Sequence, residues 1–148
     1  MIMIKSKKSV IISWGLLITW MLFIFYMSSF NGVMSGNQSG SIAFLIYNLF
    51  DISDTEKVSF IVRKCAHVSE FFILGILAIN LISKYNVKYS YLISFIVCVL
   101  YASSDEFHQL FVPGRSGQVT DIFIDMIGTI FSLLAMYLFN KFRKKVCF

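Results

Sequence analysis

Two stretches hold both histidines and five of the eight acids of this chain: RKCAHVSEFFILG at 63–75 and DEFHQLFVPGRSGQVTDIFIDMIG at 105–128. In the first, Arg63, His67 and Glu70 step by four and three, so a helix carries them on one face. In the second, Asp105, His108 and Gln109 share a face, with Glu106 turned about 100° from them. Asp121, Asp125 and Gly128 form another such face after Arg115. A histidine beside a carboxylate is suited to moving protons near neutral pH. His67, Glu70, Asp105, Glu106 and His108 are therefore the candidate catalytic groups. Arg63 and Arg115 suit a phosphate or carboxylate, which a guanidinium grips with two parallel hydrogen bonds. Gln109, Asp121, Asp125, Ser28 and Ser29 join them as candidate ligand-binding residues. A serine there could act as a nucleophile, although the sequence shows no base within its reach. The same donor types leave a divalent metal as an alternative cofactor, with His67, Glu70, Asp105, His108, Asp121 and Asp125 as its candidate ligands. Familiar signatures such as H-E-x-x-H, G-x-S-x-G or a glycine-rich phosphate loop are missing.

The elements that must position these groups are helices in a membrane. The chain has 148 residues, 57% of them hydrophobic and 17% aromatic, with a single proline. A bilayer core of roughly 30 Å needs about 20 consecutive apolar residues. Segments 10–27, 62–82, 89–109 and 120–140 meet that requirement. They predict an all-α membrane protein: a compact bundle of four transmembrane helices in one domain over 1–148, with the lipid bilayer as its first partner. Lys5, Lys7 and Lys8 followed by an apolar run resemble a signal peptide, but that run exceeds the usual core of about 7–15 residues and reads as a retained helix. Cys65, Cys98 and Cys147 lie in different segments and suggest neither a disulfide frame nor a zinc ribbon.

Charge predicts the orientation. Nine basic residues precede helix 1, join helices 2 and 3, or follow helix 4, and no acid accompanies them. The positive-inside rule makes that side cytoplasmic, with both termini inside. All eight acids and the remaining four basic residues fall in the outer connections or the helix ends beside them. The net charge of +5 thus expresses orientation and contact with anionic lipid, and no nucleic-acid partner is expected. The outer connection at 28–61 opens with serine, glycine and asparagine. It then holds IAFLIYNLF at 42–50, too short to span and suited to an interfacial helix. Ser53 or Asp54 could cap the turn that follows.

Counting back about 20 residues from Lys84 places His67 roughly 5 Å and Glu70 roughly 9 Å below the outer boundary. Asp105, Glu106, His108, Asp121 and Asp125 reach the same level from helices 3 and 4, as do Ser28 and Ser29 from helix 1. Ionisable groups cost about 2.5–3.5 kcal/mol each at the centre of a membrane helix, so these side chains should face one another across an outward-opening polar pocket. Part of the set could serve only to lock helices together.

The two long motifs, with MSSFNG at the end of helix 1, resemble the VanZ-like family of bacterial membrane proteins over about 14–138. The spacing DE-x-x-Q-x-x-x-x-x-R-x-x-x-x-x-D falls on Asp105, Glu106, Gln109, Arg115 and Asp121. The family's pattern of Lys or Arg ahead of Ala/Gly/Val-x-His-x-x-Glu/Phe/Tyr falls on Lys64, Cys65, Ala66, His67 and Glu70. Asp125 stands where the family commonly carries Asn, and an acid there can accept hydrogen bonds or bind a cation. The resemblance implies a multi-pass protein of the bacterial cytoplasmic membrane, linked to reduced susceptibility to lipoglycopeptides such as teicoplanin. It supplies a phenotype and no reaction. The polar pocket would act on, or bind, a lipid-linked or cell-wall precursor. The alternative is a non-catalytic binding or interaction protein whose charged residues mainly pair helices. Ion transport by one chain is disfavoured, because the cytoplasmic halves of the helices carry almost no polar residues. Oligomeric state is left open.

Overall fold

The computed structural model describes residues 6–30, 35, 36, 40, 41, 44 and 55–146. Four helices are long and apolar enough to cross a membrane: α1 (Lys7–Ser28), α2 (Thr55–Ile82), α3 (Ser90–Gln109) and α4 (Val119–Val146). A 3-10 turn at Ser83–Tyr85 closes α2, and no strand occurs among the described residues. The interfacial helix expected at 42–50, Phe44 apart, and the cap expected at Ser53 or Asp54 lie outside the described residues.

Two helices outrun the apolar segments that announce them. α2 begins at Thr55 where the apolar run begins at Val62, and α4 continues to Val146, beyond Asn140. Apolar runs mark the part of a helix that meets hydrocarbon. Lys57 and the basic cluster after Asn140 are compatible with helix geometry, so the backbone continues into more polar surroundings.

The packing is that of a lipid-solvated bundle. Leu17, Ile24, Phe71, Leu74, Ala78, Leu81, Cys98 and Ala102 form the core, while Ile11, Leu22, Leu100, Phe123 and Phe131 point outward. Without a hydrophobic drive between helices in lipid, small residues must supply close approach. α2 is the central element and packs against α1, α3 and, most extensively, α4. At its seam with α4, a Cβ on Gly128 would run into the carbonyl oxygen of Val68, and a Cβ on Gly75 into the Ser132 hydroxyl. Contacts between Lys64 and Asp121, His67 and Asp125, Val68 and Gly128, and Gly75 and Ser132 advance together along both helices. α2 and α4 therefore run parallel, and their first turns lie at the same end of the bundle.

The opposite end holds a polar knot. Lys84 Nζ donates to the Ser9 carbonyl at 2.8 Å and the Ser9 hydroxyl at 2.9 Å, and also to the Ser13 hydroxyl. Asn80 Nδ2 reaches Ser13 Oγ at 3.3 Å. That half of the bundle is more polar than the apolar sequence suggested, but each of these groups is used in tying α1 to the end of α2.

Candidate functional site

The turn between α3 and α4 sets the site. Arg115 N–H donates to the Val112 carbonyl at 3.1 Å, closing a four-residue turn around Pro113 and Gly114. Gly114 has φ of 74°, a conformation that other residues adopt only with strain, and proline followed by such a glycine is the sequence of a type II turn. The turn aims Arg115 back at the bundle. Its Nε donates to the Phe30 carbonyl at 3.1 Å, and its two terminal nitrogens lie 3.4 Å from Gln109 Oε1 and 3.5 Å from the Met27 carbonyl. A guanidinium there meets carbonyl groups at and just beyond the C-terminal end of α1, where the helix dipole favours positive charge. Burial pulls the Arg115 pKa below its ordinary value, and Arg63 adds to this, while Asp105, Glu106 and Glu70 oppose it.

Behind this cation lie the acids. Gln109 Nε2 donates to Asp105 Oδ2 at 2.9 Å, completing a chain from Arg115 through Gln109 to Asp105. The backbone N–H of Gln118 donates to Glu106 Oε2 at 2.8 Å. Lys64 forms an ion pair with Asp121 across the α2–α4 seam. One helical turn deeper, His67 Nδ1 lies 3.3 Å from Asp125 Oδ1, close enough for an ion pair but not aligned as a hydrogen bond. Asp105 is 3% exposed, Glu106 4% and Asp125 0%. Asp105 Oδ1, Glu106 Oε1, both Asp125 oxygens, His67 Nδ1 and Ser28 Oγ are buried and find no hydrogen-bond partner among the described residues.

A pocket of about 150 Å³ opens in front of these groups. Arg63, Lys64 and Arg115 supply its cations, His67 reaches it from α2, and among the described residues Asp121 is the one carboxylate on its lining. Gln109, Gln118, Ser116, Ser35 and Phe60 complete the wall. The lining can hold an anion: three positive groups and neutral donors converge on a space the size of a small head group.

The candidates named from sequence divide into three sets. Arg63, His67, Gln109, Arg115 and Asp121 line the pocket. Asp105, Glu106 and Asp125 lie buried next to it, and Glu70 is within electrostatic reach of His67, Asp105 and Asp125. His108 and Ser29 are elsewhere: Ser29 Oγ meets His108 Nε2 at 3.2 Å, and the imidazole packs against Phe25, tilted by 31°, with ring centroids 4.4 Å apart. This pair ties α1 to α3. The Ser29 hydroxyl also donates to the Phe25 carbonyl at 2.6 Å, so its proton is not presented to His108. Ser28, 5% exposed, is a packed residue outside the lining.

Partners also differ from those that spacing along one helix suggests. His67 is matched by Asp125 of α4 more closely than by Glu70 on its own helix. Glu106, the residue turned away from the Asp105 face, points to the α2–α4 seam, where one donor atom from each of His67, Glu106 and Asp125 lies within 4.8 Å of the others. The grouping that could hold a metal therefore includes Glu106, absent from the sequence-based ligand set, and omits Glu70, Asp105, His108 and Asp121. Lys64 is the site residue that sequence reasoning left out, and its position three residues before His67 on the same helical face was the available signal. Gln118 contributes through its backbone N–H, for which no residue type gives a signal.

Fold and site define a polytopic helical membrane protein whose ionisable side chains gather at one end of the bundle. The VanZ/LLP1 family model matches residues 13–140, and the chain belongs to that family. Neither a curated protein nor a solved structure matches it.

Proposed function

We propose that this VanZ-family protein sits in the bacterial cytoplasmic membrane with both termini inside and uses its polar pocket, open to the outer face, to bind an anionic lipid-linked or cell-wall precursor. Reduced susceptibility to lipoglycopeptides such as teicoplanin would follow from engaging that precursor. The observation that carries the reading is the charge of the lining, where among the described residues Arg63, Lys64 and Arg115 face one carboxylate, Asp121, already paired with Lys64. A phosphate or carboxylate head group matches that lining, and the apolar bundle beside it suits an attached lipid tail.

The test uses purified protein in detergent and a short-chain prenyl phosphate, with the uncharged prenyl alcohol as control. Saturable binding of the phosphate is expected. Losing one charge-assisted contact removes about 1.5–3 kcal/mol, so Arg63→Ala and Arg115→Ala should each weaken binding by roughly 10- to 100-fold. Equal binding of the alcohol, or unchanged affinity in both variants, would reject the reading and leave the charges as helix-pairing groups.

Orientation is tested separately. A reporter fused after Phe148 should read cytoplasmic, and one inserted within 31–40 should read external. The inverse pattern would turn the pocket toward the cytosol and remove outer-leaflet ligands from consideration.

His67 on the lining with Asp125 behind it favours a second reading, in which the bound precursor is also a substrate and this pair moves a proton. Under that reading a lipid-linked precursor is converted to product by the wild type and not by His67→Ala. Binding without product leaves the pocket as a recognition site.

A further inference from the structure

We infer that His67, Glu106 and Asp125 form a binding site for one divalent first-row metal ion, zinc or manganese, at the floor of the pocket. One donor atom from each residue lies within 4.8 Å of the other two. A second and independent observation comes from hydrogen bonding. His67 Nδ1, Glu106 Oε1 and both Asp125 oxygens are buried without a hydrogen-bond partner among the described residues, with Glu106 only 4% and Asp125 0% exposed. Buried polar atoms are nearly always satisfied, and several unsatisfied atoms converging on one point call for a shared partner.

The surrounding charge points the same way. With His67 neutral, as a metal ligand must be, the two carboxylates present two negative charges to a bound ion in a setting that stabilises charge poorly. Two of the three cations on the pocket lining are engaged elsewhere: Lys64 pairs with Asp121, and Arg115 donates to Gln109 and to the Met27 and Phe30 carbonyl groups. A divalent ion supplies the missing two charges and a bond to each orphaned side chain. One nitrogen and two carboxylate oxygens are donors for zinc or manganese, whereas calcium and magnesium favour oxygen-only shells. Zinc donors at about 2.0–2.2 Å lie roughly 3.4 Å apart in a tetrahedron, a spacing that His67 Nδ1 and Asp125 Oδ1 at 3.3 Å already match.

Each ligand is held by an element already described. Glu106 keeps its second oxygen on the Gln118 N–H, which leaves Oε1 for the ion. His67 and Asp125 are brought opposite each other by the close α2–α4 seam. Three protein ligands leave coordination positions open, and His67 places the site beside the pocket lining. An oxyanion held by Arg63 and Arg115 could therefore take an open position. Metal binding itself does not rest on the anion-binding reading.

The experiment loads full-length chelator-stripped protein in detergent with Zn2+ or Mn2+, removes unbound ion, and measures metal per chain together with the thermal unfolding midpoint. The wild type, His108→Ala and Arg63→Ala should each retain about one ion per chain and unfold at a higher temperature when loaded, as binding to the folded state requires. His67→Ala, Glu106→Gln and Asp125→Ala should retain less than about a tenth of an ion per chain under the same conditions. Wild-type protein that binds neither ion and shows no midpoint shift overturns the proposal, whatever the variants do. Wild-type levels of metal in folded Asp125→Ala also overturn it. A wild type that binds metal but no prenyl phosphate leaves this site standing and rejects the anion-binding reading, and a wild type that binds phosphate but no metal does the reverse.

Discussion

Gly128→Leu is expected to separate α2 from α4 and prevent the bundle from folding stably. A Cβ at this position would strike the Val68 carbonyl oxygen, with the Val68 carbonyl carbon at 3.1 Å and the Phe72 nitrogen at 3.2 Å behind it. All three are backbone atoms of a helix, so no rotamer change can relieve the contact. Gly128→Ala already overpacks the seam and should cost about 1–3 kcal/mol, while leucine adds three more carbons with nowhere to go. Gly15 is the internal control. It lies on α1, and a Cβ there meets nothing within 4 Å. Gly15→Ala should be neutral or stabilising by up to about 1 kcal/mol, as alanine favours helix over glycine. Unfolding in mixed detergent and SDS micelles reads all three variants. Equal stability of Gly128→Ala and Gly15→Ala would show that the α2–α4 approach is looser than the Val68 contact requires.

This seam also explains how much of the protein could be read from its sequence. The four apolar runs reveal the helices because hydrocarbon thickness fixes a minimum length of apolar side chains. Gly128 was legible as a point of approach because small residues are what membrane helices use for contact. Helix ends were less legible, since α2 starts above its apolar run and α4 outlasts its own. The site was half legible. Periodicity places Arg63, His67 and Glu70 on one face of α2, and Asp121 and Asp125 on one face of α4, but it carries no information about the rotation of one helix against another. Only that rotation decides that His67 meets Asp125, that Lys64 meets Asp121, and that Glu106 turns toward the seam while His108 packs against Phe25. For the same reason, the Ser29–His108 contact could not be foreseen: it depends on how α1 leans on α3.

His67→Ala should be the most damaging single change among the ionisable residues. Asp125 has no exposed surface, and the imidazole is the one basic side chain in ion-pair contact with it among the described residues. Removing one member of a buried ion pair typically costs about 3–5 kcal/mol, because the remaining charge has lost its partner and cannot reach water. His108→Ala gives the contrast: that imidazole touches Ser29 and Phe25 near the surface, and its loss should change stability by no more than about 0.5 kcal/mol. The measurement is a double-mutant cycle on metal-free protein with chelator present, so that only the protein's own pairing is read. Asp125→Leu in the His67→Ala background removes the orphaned acid and should recover part of the loss, giving a coupling energy above about 1 kcal/mol. Strict additivity, within about 0.5 kcal/mol, would mean that the two side chains do not depend on each other. A bundle that needed only to hold its helices together would be at least as stable with two apolar residues at these positions. If the double variant proves as stable as the wild type but no longer binds metal or prenyl phosphate, the buried His67–Asp125 pair is retained for what it binds and not for the stability of the fold.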